Sequence, residues 1–193
     1  MYLARHGRTG LNAAGALRGH IDVPLDSVGH AQARSLGAAL AGTTPRMIVS
    51  SPLSRALQTV QPLADLVGLE ISTDARLIDR DYGEWAGVST QAVIERWGSL
   101  DAAPGVEPVT AVRDRVLAAL ADIAARALGA AAVVVSHDVV IRTALAALDP
   151  GLGDPTSVPQ ETGCFNTLEY QRTASTVVRW AVLNVNQVPS PAW

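Results

Sequence analysis

Two arginines and two histidines of this sequence each follow closely on a short apolar run: Arg5, His6, Arg55 and His137. Such runs are typical of β-strands, and ligand sites in open α/β sheets collect at the carboxyl ends of the strands. Arginines and histidines that converge there repel one another when the site is empty. A phosphate group relieves that repulsion, because its oxygens accept several charge-assisted hydrogen bonds. The pattern therefore indicates a site for a phosphorylated ligand.

A histidine in such a site can also act as a nucleophile. The imidazole pKa of about 6.5 leaves much of the ring neutral near pH 7, with a free lone pair on one nitrogen. Its attack on phosphorus would give a phosphohistidine, which divides one difficult substitution into two easier ones. The departing alkoxide then needs a proton, so a carboxylic acid is expected nearby. The acidic candidates are Asp79, Asp81, Glu84 and Asp138.

The elements that must position these residues alternate between short β-rich runs and longer helical patterns, which predicts an α/β fold. The apolar run 131–135 shows no polar alternation, so it is expected to be a central strand covered on both faces. The predicted strands are Tyr2–Ala4, Met47–Ser50, Glu70–Thr73, Ala132–Ser136, Phe165–Tyr170 and Thr176–Leu183.

Apolar residues with a period of 3.6 predict four helices. In the helix from Leu53 to Val67, Ser51 and Pro52 are expected to supply the N-cap and a first-turn proline. Pro62 should kink this helix or restart it. The other predicted helices are Val28–Leu40, Val109–Ala127 and Ile141–Leu148.

Composition limits the class of protein. A chain of 193 residues with 48% hydrophobic and 17% charged residues is typical of one globular domain, here 1–193. The net charge of −3, without a basic stripe that carries aromatic residues, argues against a nucleic-acid partner. No apolar run has the length of a membrane span, so no membrane partner is expected. All fifteen basic residues are arginines, so any anion is held by guanidinium or imidazole groups.

Other features bear on location and assembly. The chain has one cysteine, Cys164, which cannot form an internal disulfide, and its start lacks the layout of a signal peptide. A reducing, cytoplasmic location is therefore expected. The proline- and glycine-rich segment 150–159 predicts a loop, and the tail 188–193 is expected to fray. A homodimer is compatible with the sequence, which does not specify an oligomeric state.

Four separate blocks, in order along the chain, resemble the histidine phosphatases, also called the phosphoglycerate-mutase-like superfamily. The first block resembles the signature with the nucleophilic histidine, the third the block with the second arginine, and the fourth the block with the second histidine. The resemblance extends from Leu3 to about Leu148. The blocks are Leu3–Thr9, Gly19–Leu25, Ser50–Thr59 and Val135–Arg142.

The resemblance implies a role for each matching residue. His6 would be the nucleophile, and Arg5, Arg55 and His137 would hold the phosphoryl oxygens and stabilise their charge in the transition state. Asn12 would be a further polar contact to the substrate, although a role in a turn or cap also fits this residue. No metal or organic cofactor is implied. The implied fold is a three-layer sandwich with a mostly parallel central sheet of about six strands between helices.

The sequence departs from the family pattern at two acidic positions. Asp79 stands where the family usually has glutamate. Its side chain is one methylene shorter, so its carboxyl is expected to end roughly 1.5 Å short of the position that a glutamate carboxyl would reach, and a displacement of this size can slow catalysis. Asp138 stands where glycine is common after the second histidine; in the acid-phosphatase branch of the superfamily a His-Asp pair carries the proton donor on the Asp, so the resemblance implies Asp138 as a rival general acid. Asp79 is the favoured acid, with Asp138, Glu84 and Asp81 as alternatives.

Three functions fit this pattern. The favoured one is a phosphatase that hydrolyses the phosphate monoester of a small molecule through a phosphohistidine on His6. A phosphoglycerate mutase would return the phosphoryl group to another oxygen of the substrate, but it must exclude water and this chain is short. A non-catalytic binder of phosphorylated ligands is the third. Substrate choice is expected to depend on the loops 8–24, 84–108 and 150–162, whose side chains give no clear code.

Overall fold

Six strands form one mixed sheet in the computed structural model, which describes residues 1–172 and 178–190. In space the strands lie in the order β3-β2-β4-β1-β5-β6. The first four in this order pair in parallel, whereas β5 is antiparallel to β1 and β6 is antiparallel to β5. The predicted α/β class and mostly parallel sheet are confirmed. The strands are β1 (Tyr2–Arg5), β2 (Met47–Ser50), β3 (Ile71–Thr73), β4 (Ala132–Ser136), β5 (Phe165–Arg172) and β6 (Val178–Gln187).

Helices cover both faces of the sheet. One face packs against α5 and α6 and the other against α2 and α3, which gives the three layers that the family resemblance implied. Helix α4 was not predicted; it has only eight residues, of which only Val93 is buried. The helices are α1 (Gly10–Ala13), α2 (Ser27–Ala41), α3 (Ser54–Val67), α4 (Thr90–Trp97), α5 (Val109–Ala127) and α6 (Asp138–Leu148).

The core sits on the two faces of β4. Val134 packs into the cluster under α5 and α6, whereas Val133 and Val135 pack into the cluster under α2 and α3. All five residues of this strand are buried. Successive side chains of a strand point to opposite faces, so a strand between two helical layers must be apolar throughout. The prediction that 131–135 forms a central strand is confirmed.

The predicted start of α3 is wrong. The helix begins at Ser54 with Leu53 as its N-cap, and no side chain of the cap residue bonds to the helix. The orphan Ser54 amide instead donates to Asp22 Oδ1 at 2.7 Å. Ser51 still belongs to the strand, because its amide continues the pairing with Val135; its hydroxyl contacts His137 and accepts from the Leu53 amide at 3.4 Å, ahead of the helix.

Pro62 does not interrupt α3, which runs unbroken from Ser54 to Val67. A proline within a helix removes one backbone hydrogen bond, and such a helix is retained where packing compensates. Gly37 of α2 supplies that packing, because a Cβ there would lie within 3.2 Å of the Pro62–Leu63 backbone. The close approach of α2 therefore holds the proline-containing turn in place.

Several shorter features differ in extent from the predictions. Residues 176 and 177 of the predicted last strand lie outside the described residues, and β6 continues beyond the prediction to Gln187. Of the tail predicted to fray, 191–193 lie outside them as well, and 188–190 form no regular element. The 150–159 segment contains two 3-10 turns, Pro150–Leu152 and Pro155–Ser157. No helix in the described part of the chain is long and apolar enough to span a bilayer.

The first turn of α2 rests directly on the loop that follows β1. A Cβ on Gly29 would lie 2.1 Å from the Arg8 carbonyl oxygen, and a Cβ on Gly7 would lie 2.6 Å from the Gly29 carbonyl oxygen. Neither residue has a positive φ, so glycine is needed for close approach and not for backbone conformation. This contact fixes the position of the residues around His6.

We expect Gly29→Ala to destabilise the fold by about 1–3 kcal/mol, because the new methyl group must push two backbone segments apart. Activity should fall as well, since the displaced loop carries His6. Gly42→Ala is the matched control, because its Cβ meets nothing within 4 Å and its φ of −68° suits alanine. Urea unfolding of both variants checks the prediction, and equal stabilities would contradict it.

Candidate active site

The carboxyl ends of the central strands bring the predicted residues together. β1 ends at Arg5 and β4 ends at Ser136, and the two histidines follow directly. The His6 amide donates to the Ser136 carbonyl at 3.1 Å, which continues the parallel pairing by one residue. The rings of His6 and His137 consequently lie 5.1 Å apart between centroids.

The hydrogen bonds of His6 define its tautomer. Its Nδ1 lies 2.7 Å from the carbonyl oxygen of Gly7, which can only accept. Nδ1 therefore carries the proton, and Nε2 carries the lone pair. Nε2 is buried and has no hydrogen-bond partner in the part of the chain that the structure describes. The ring thus presents a free nucleophilic nitrogen inside the cluster.

Burial lowers the pKa of His6 well below its usual value of 6.5, and the charges of Arg55 and Arg5 lower it further. The ring is fully inaccessible to solvent, so the charged form loses its hydration. His6 is therefore neutral at physiological pH, which is the form in which imidazole attacks phosphorus.

Arg55 lies in the first turn of α3 and is completely buried. Its Nη1 donates to the Ile21 carbonyl and its Nη2 to the Gly19 carbonyl, each at 2.8 Å. Nη2 also donates to Asp79 Oδ2 at 3.1 Å. These bonds compensate for the desolvation of the guanidinium and fix its orientation.

Thr59 connects Arg55 to the loop of His6. Its hydroxyl donates to the Arg55 carbonyl at 2.6 Å and accepts from the Gly7 amide at 2.9 Å. The spacing of four residues places this hydroxyl on the same face of α3 as Arg55. The Thr59 side chain therefore fixes the position of Arg55 relative to the loop that carries His6.

His137 is held between Ser51 and Asp79. Its Nε2 lies 2.7 Å from Ser51 Oγ, and its Nδ1 lies 3.8 Å from Asp79 Oδ2. Burial lowers the pKa of His137 well below 6.5, and His6 and Arg55 contribute in the same direction. The ring is neutral, and with Nε2 accepting from the Ser51 hydroxyl its Nδ1 carries the proton and can donate a hydrogen bond to an anion.

Arg5 is anchored at the opposite side of the cluster. Its Nη1 donates to the Gln160 carbonyl and lies 3.4 Å from Asp138 Oδ2. Gln160 belongs to the loop that was expected to influence substrate choice, and its own side chain is tied to Asn166 at 2.7 Å. The loop and the strand end therefore position this arginine together.

Asp79 reaches the cluster despite its short side chain. Only 1% of it is exposed, and its Oδ1 accepts from the Arg80 amide at 2.9 Å. Arg115 supports the backbone of this turn by donating to the Asp79 carbonyl at 3.1 Å. Burial raises the pKa of Asp79 above its usual 3.8, against the lowering effect of Arg55. A carboxyl group that favours its protonated form in this way is suited to give a proton to a leaving group.

The other predicted residues have different surroundings. Asp138 forms ion pairs with Arg142 and Arg5, and its side chain is 22% exposed. Asn12 Oδ1 accepts from the amide and hydroxyl of Thr9, which makes it part of the capping box of α1. Glu84 is exposed in a 3-10 turn, and Asp81 Oδ1 accepts from the Gly83 amide. The structure brings Asp138 to the cluster through Arg5 and leaves Glu84 at the surface.

The cluster concentrates buried nitrogen atoms that lack hydrogen-bond partners. Within the described residues, five such atoms belong to it, and an unpaired buried polar atom costs about 1–3 kcal/mol. Most of them are N–H donors, which suit an oxyanion and not a cation. In the same part of the chain, no three acidic, histidine or cysteine side chains are grouped so that they could hold a metal ion. The atoms are Arg5 Nε, His6 Nε2, Arg18 Nε, Arg55 Nε and His137 Nδ1.

Comparison with known proteins identifies the family. A family model described as the histidine phosphatase superfamily (branch 1) matches residues 1–183. The chain belongs to this superfamily. It is 31% identical to phosphoserine phosphatase 1 of Hydrogenobacter thermophilus over 176 residues, which cover 86% of this chain and 82% of that protein. The family resemblance predicted from four sequence blocks is confirmed.

Other superfamily members are similar to parts or all of the chain. It is 38% identical to the glucosyl-3-phosphoglycerate phosphatase of Mycolicibacterium vanbaalenii over 89 residues, which span only 40% of that relative and 46% of this chain. The structure of mycobacterial glucosyl-3-phosphoglycerate phosphatase with VO3 superimposes with a TM-score of 0.87 at 25% identity, covering 97% of this chain and 98% of that one. Proteins named probable phosphoglycerate mutase are also among the relatives.

Sequence reasoning missed Arg18. This residue lies between two of the blocks that match the superfamily, and its sequence neighbours give no sign of a site. Its charge nevertheless lowers the pKa of His6, Arg55 and His137, and the carbonyl of the next residue, Gly19, accepts from Arg55 Nη2. Only the fold brings it there, because His137 is more than a hundred residues away in the chain.

A cavity of about 360 Å³ lies between α4, α6 and the 154–156 turn, and its described lining includes neither histidine of the cluster. It borders Arg80, which follows Asp79, and Val139, which follows Asp138. Its walls come from 94–109 and 154–156, which overlap two of the three loops expected to govern substrate choice.

The neutral, buried state of His6 predicts that stability depends on pH. Because its pKa is lowered in the native state, only the unfolded chain binds the proton below pH 6.5. The stabilisation is therefore complete above pH 6.5 and is lost as the pH falls towards the native pKa, by up to about 1.4 kcal/mol per pH unit. Urea unfolding at pH 7.5 and 5.5 measures this loss, and His6→Asn should reduce it. An unchanged loss in the variant would refute the assignment.

Proposed function

We propose that this chain is a phosphatase that hydrolyses the phosphate monoester of a small molecule through a phosphohistidine at Nε2 of His6. The observation that carries the proposal is the free Nε2 lone pair, buried among unpaired donors of Arg5, Arg55 and His137. Phosphoryl oxygens would satisfy those donors, and the neutral ring would face the phosphorus atom. The known relatives named as phosphatases support the same reaction class.

In the first step, the Nε2 lone pair attacks phosphorus as the bond from phosphorus to the ester oxygen breaks. Nδ1 keeps its proton and continues to donate it in a hydrogen bond to the Gly7 carbonyl. That carbonyl stabilises the positive charge that develops on the ring. The guanidinium groups of Arg5 and Arg55 and the Nδ1 of His137 stabilise the equatorial oxygens in the transition state. The protonated Asp79 carboxyl gives its proton to the leaving alkoxide.

In the second step, water attacks the phosphohistidine. The Asp79 carboxylate takes one proton from the water, a new phosphorus–oxygen bond forms, and the phosphorus–nitrogen bond breaks. The electron pair of that bond returns to Nε2, and inorganic phosphate leaves. The cycle returns His6 to its neutral tautomer and Asp79 to its protonated form, and it calls on no metal ion. Metal independence is therefore part of the proposal, as are a single catalytic domain over 1–193 and a cytoplasmic location.

Asp79 is a better general acid than Asp138 in this proposal. Asp138 forms two ion pairs, with Arg142 and Arg5, and is partly exposed. Asp79 is buried, burial raises its pKa, and its Oδ2 lies 3.8 Å from His137 Nδ1, inside the cluster. Asp138 then serves to neutralise part of the charge of Arg5.

A phosphoglycerate mutase remains the second candidate because relatives carry that name. A mutase would interconvert phosphoglycerate isomers with little release of phosphate, whereas a phosphatase releases one phosphate for each ester consumed. A screen of phosphorylated metabolites that measures inorganic phosphate and isomer formation together separates the two reactions.

We expect His6→Ala to abolish turnover, with a loss of more than about a thousandfold in kcat, because no other group replaces the nucleophile. Rapid acid-free quenching with a 32P-labelled substrate should trap a phosphoenzyme in the wild type. That label should be labile to acid and absent from His6→Ala. A label that is stable in acid, or that persists in the variant, would exclude the phosphohistidine.

Asp79→Asn tests the general acid. We expect it to slow hydrolysis of alkyl phosphates by about a hundredfold or more, since their alkoxides must be protonated as they leave. Hydrolysis of p-nitrophenyl phosphate should fall by less than about tenfold, because nitrophenolate leaves without a proton. Asp138→Asn is the matched comparison. If it shows the selective loss and Asp79→Asn does not, Asp138 is the acid.

A further inference from the structure

The guanidinium of Arg5 is held by fewer protein groups than that of Arg55. Within the described residues, its one hydrogen bond runs from Nη1 to the Gln160 carbonyl, and the same Nη1 lies 3.4 Å from Asp138 Oδ2. That distance exceeds the usual N–H···O hydrogen-bond length of about 2.7–3.2 Å. Arg55, by contrast, donates three hydrogen bonds. The orientation of the Arg5 guanidinium therefore depends on the position of one peptide carbonyl.

The peptide group between Gln160 and Glu161 is bonded at both ends. Its carbonyl accepts from Arg5, and its N–H, which belongs to Glu161, donates to Asn186 Oδ1 at 2.7 Å. The two ends of a peptide group move together, because rotation about its C–N bond is strongly hindered. A side-chain oxygen on β6 therefore orients the carbonyl that holds Arg5.

Asn186 lies at an irregular point of β6. Its φ is +54°, in the left-handed region that asparagine tolerates better than most residues other than glycine. Phe165 pairs with Gln187 and Thr167 with Asn184, so two steps along β5 face three steps along β6. Such a bulge changes the direction of a side chain, and bulges are frequent beside active sites. Here the side chain of Asn186 bonds to the loop before β5.

Asn166 of β5 connects Asn186 to Gln160. It is completely buried, and its Oδ1 accepts from the backbone amide of Asn186 at 2.9 Å and from Gln160 Nε2 at 2.7 Å. Its Nδ2 donates to Gln160 Oε1 at 3.0 Å and to the Leu3 carbonyl at 2.8 Å. All four hydrogen-bonding positions of this side chain are used, so its orientation is fixed. Gln160, Asn166 and Asn186 together form the amide network.

We propose that the amide network positions Arg5 for the phosphoryl group by preventing a closer pairing of Arg5 with Asp138. This inference rests on the proposed phosphatase function and assigns positioning residues to the same site. Opposite charges attract Arg5 towards Asp138, whereas the Gln160 carbonyl holds Nη1 at 3.4 Å from that carboxylate. A closer ion pair would commit the donors of Arg5 to Asp138 and leave fewer of them for phosphoryl oxygens.

Asn186→Gly tests the proposal at a partly exposed position beyond the residues 1–183 that match the superfamily model. Glycine removes the side-chain acceptor and suits the positive φ. We expect the affinity for inorganic phosphate, measured by calorimetric titration, to fall about threefold to tenfold, since one hydrogen bond of the network is lost. Asn186→Asp keeps an oxygen at this place and should lose less than about twofold. Asn184→Gly, which removes an exposed asparagine from the same strand, is the matched control and should leave the affinity unchanged.

Asp138→Asn tests whether the network acts against the attraction between Arg5 and Asp138. In this background the loss of phosphate affinity caused by Asn186→Gly should shrink to less than about twofold, because no carboxylate remains to attract Arg5. A loss of equal size in both backgrounds would overturn the proposal, and so would equal losses in Asn186→Gly and Asn184→Gly. If Asn186→Gly lacks the circular dichroism spectrum of the wild type, Asn186→Ala takes its place in the same comparisons.

Nitrogen-15 NMR of the ligand-free protein separates this proposal from the proposed function. The Nε–H signal of Arg5, identified by its loss in Arg5→Gln, should shift in Asn186→Gly and stay in place in Asn184→Gly. This measurement reports the orientation of Arg5 whether or not the chain hydrolyses esters. A signal that does not move in Asn186→Gly would reject the positioning role. A shifted signal in a protein that releases no phosphate from esters would reject the phosphatase and retain the positioning role.

Discussion

The buried guanidinium of Arg55 is the interaction on which the site depends. A charged group without solvent contact needs hydrogen-bond partners, and this one uses two carbonyls and the carboxyl group of Asp79, while its Nε has no partner among the described residues. Two of these partners belong to the loop that contains Gly19 and Ile21, and the third is Asp79. The buried charge therefore holds two separate loops against the end of the sheet. Thr59 then ties the same helix to Gly7. The position of the nucleophile and the position of the acid are thus two consequences of one buried charge.

Asp79 reaches Arg55 with a shorter side chain than the glutamate that the family resemblance implies. The carboxyl reaches Arg55 because the backbone of its turn lies close, held by Arg115 through three carbonyls of the 76–79 segment. Arg115 is in turn fixed by Glu107. The position of the Asp79 carboxyl therefore depends on the backbone that Arg115 holds, and the stability of this turn becomes a condition for the reaction.

Sequence patterns were sufficient for the strand ends and for the residues directly after them. Arg5, His6 and His137 follow visible apolar runs, so their meeting at one edge of the sheet follows from the parallel pairing of β1 and β4. The start of α3 could not be predicted, because Ser51 continues the pairing of β2 with Val135, a contact 84 residues away in the chain. Arg18 was missed for the same reason, since its importance depends on tertiary contacts and not on local sequence.

The backbone of His6 is fastened on both sides. Its amide donates to Ser136 of β4, and its carbonyl accepts from Gly163 in the segment before β5. A residue whose backbone is hydrogen-bonded to both neighbouring segments cannot move with the phosphoryl group that it binds. During transfer, the phosphorus atom must therefore cover the distance between the ester oxygen and the ring nitrogen, while the oxygens pivot on their donors. The backbone of the nucleophile therefore stays in place during the reaction, and the phosphoryl group moves.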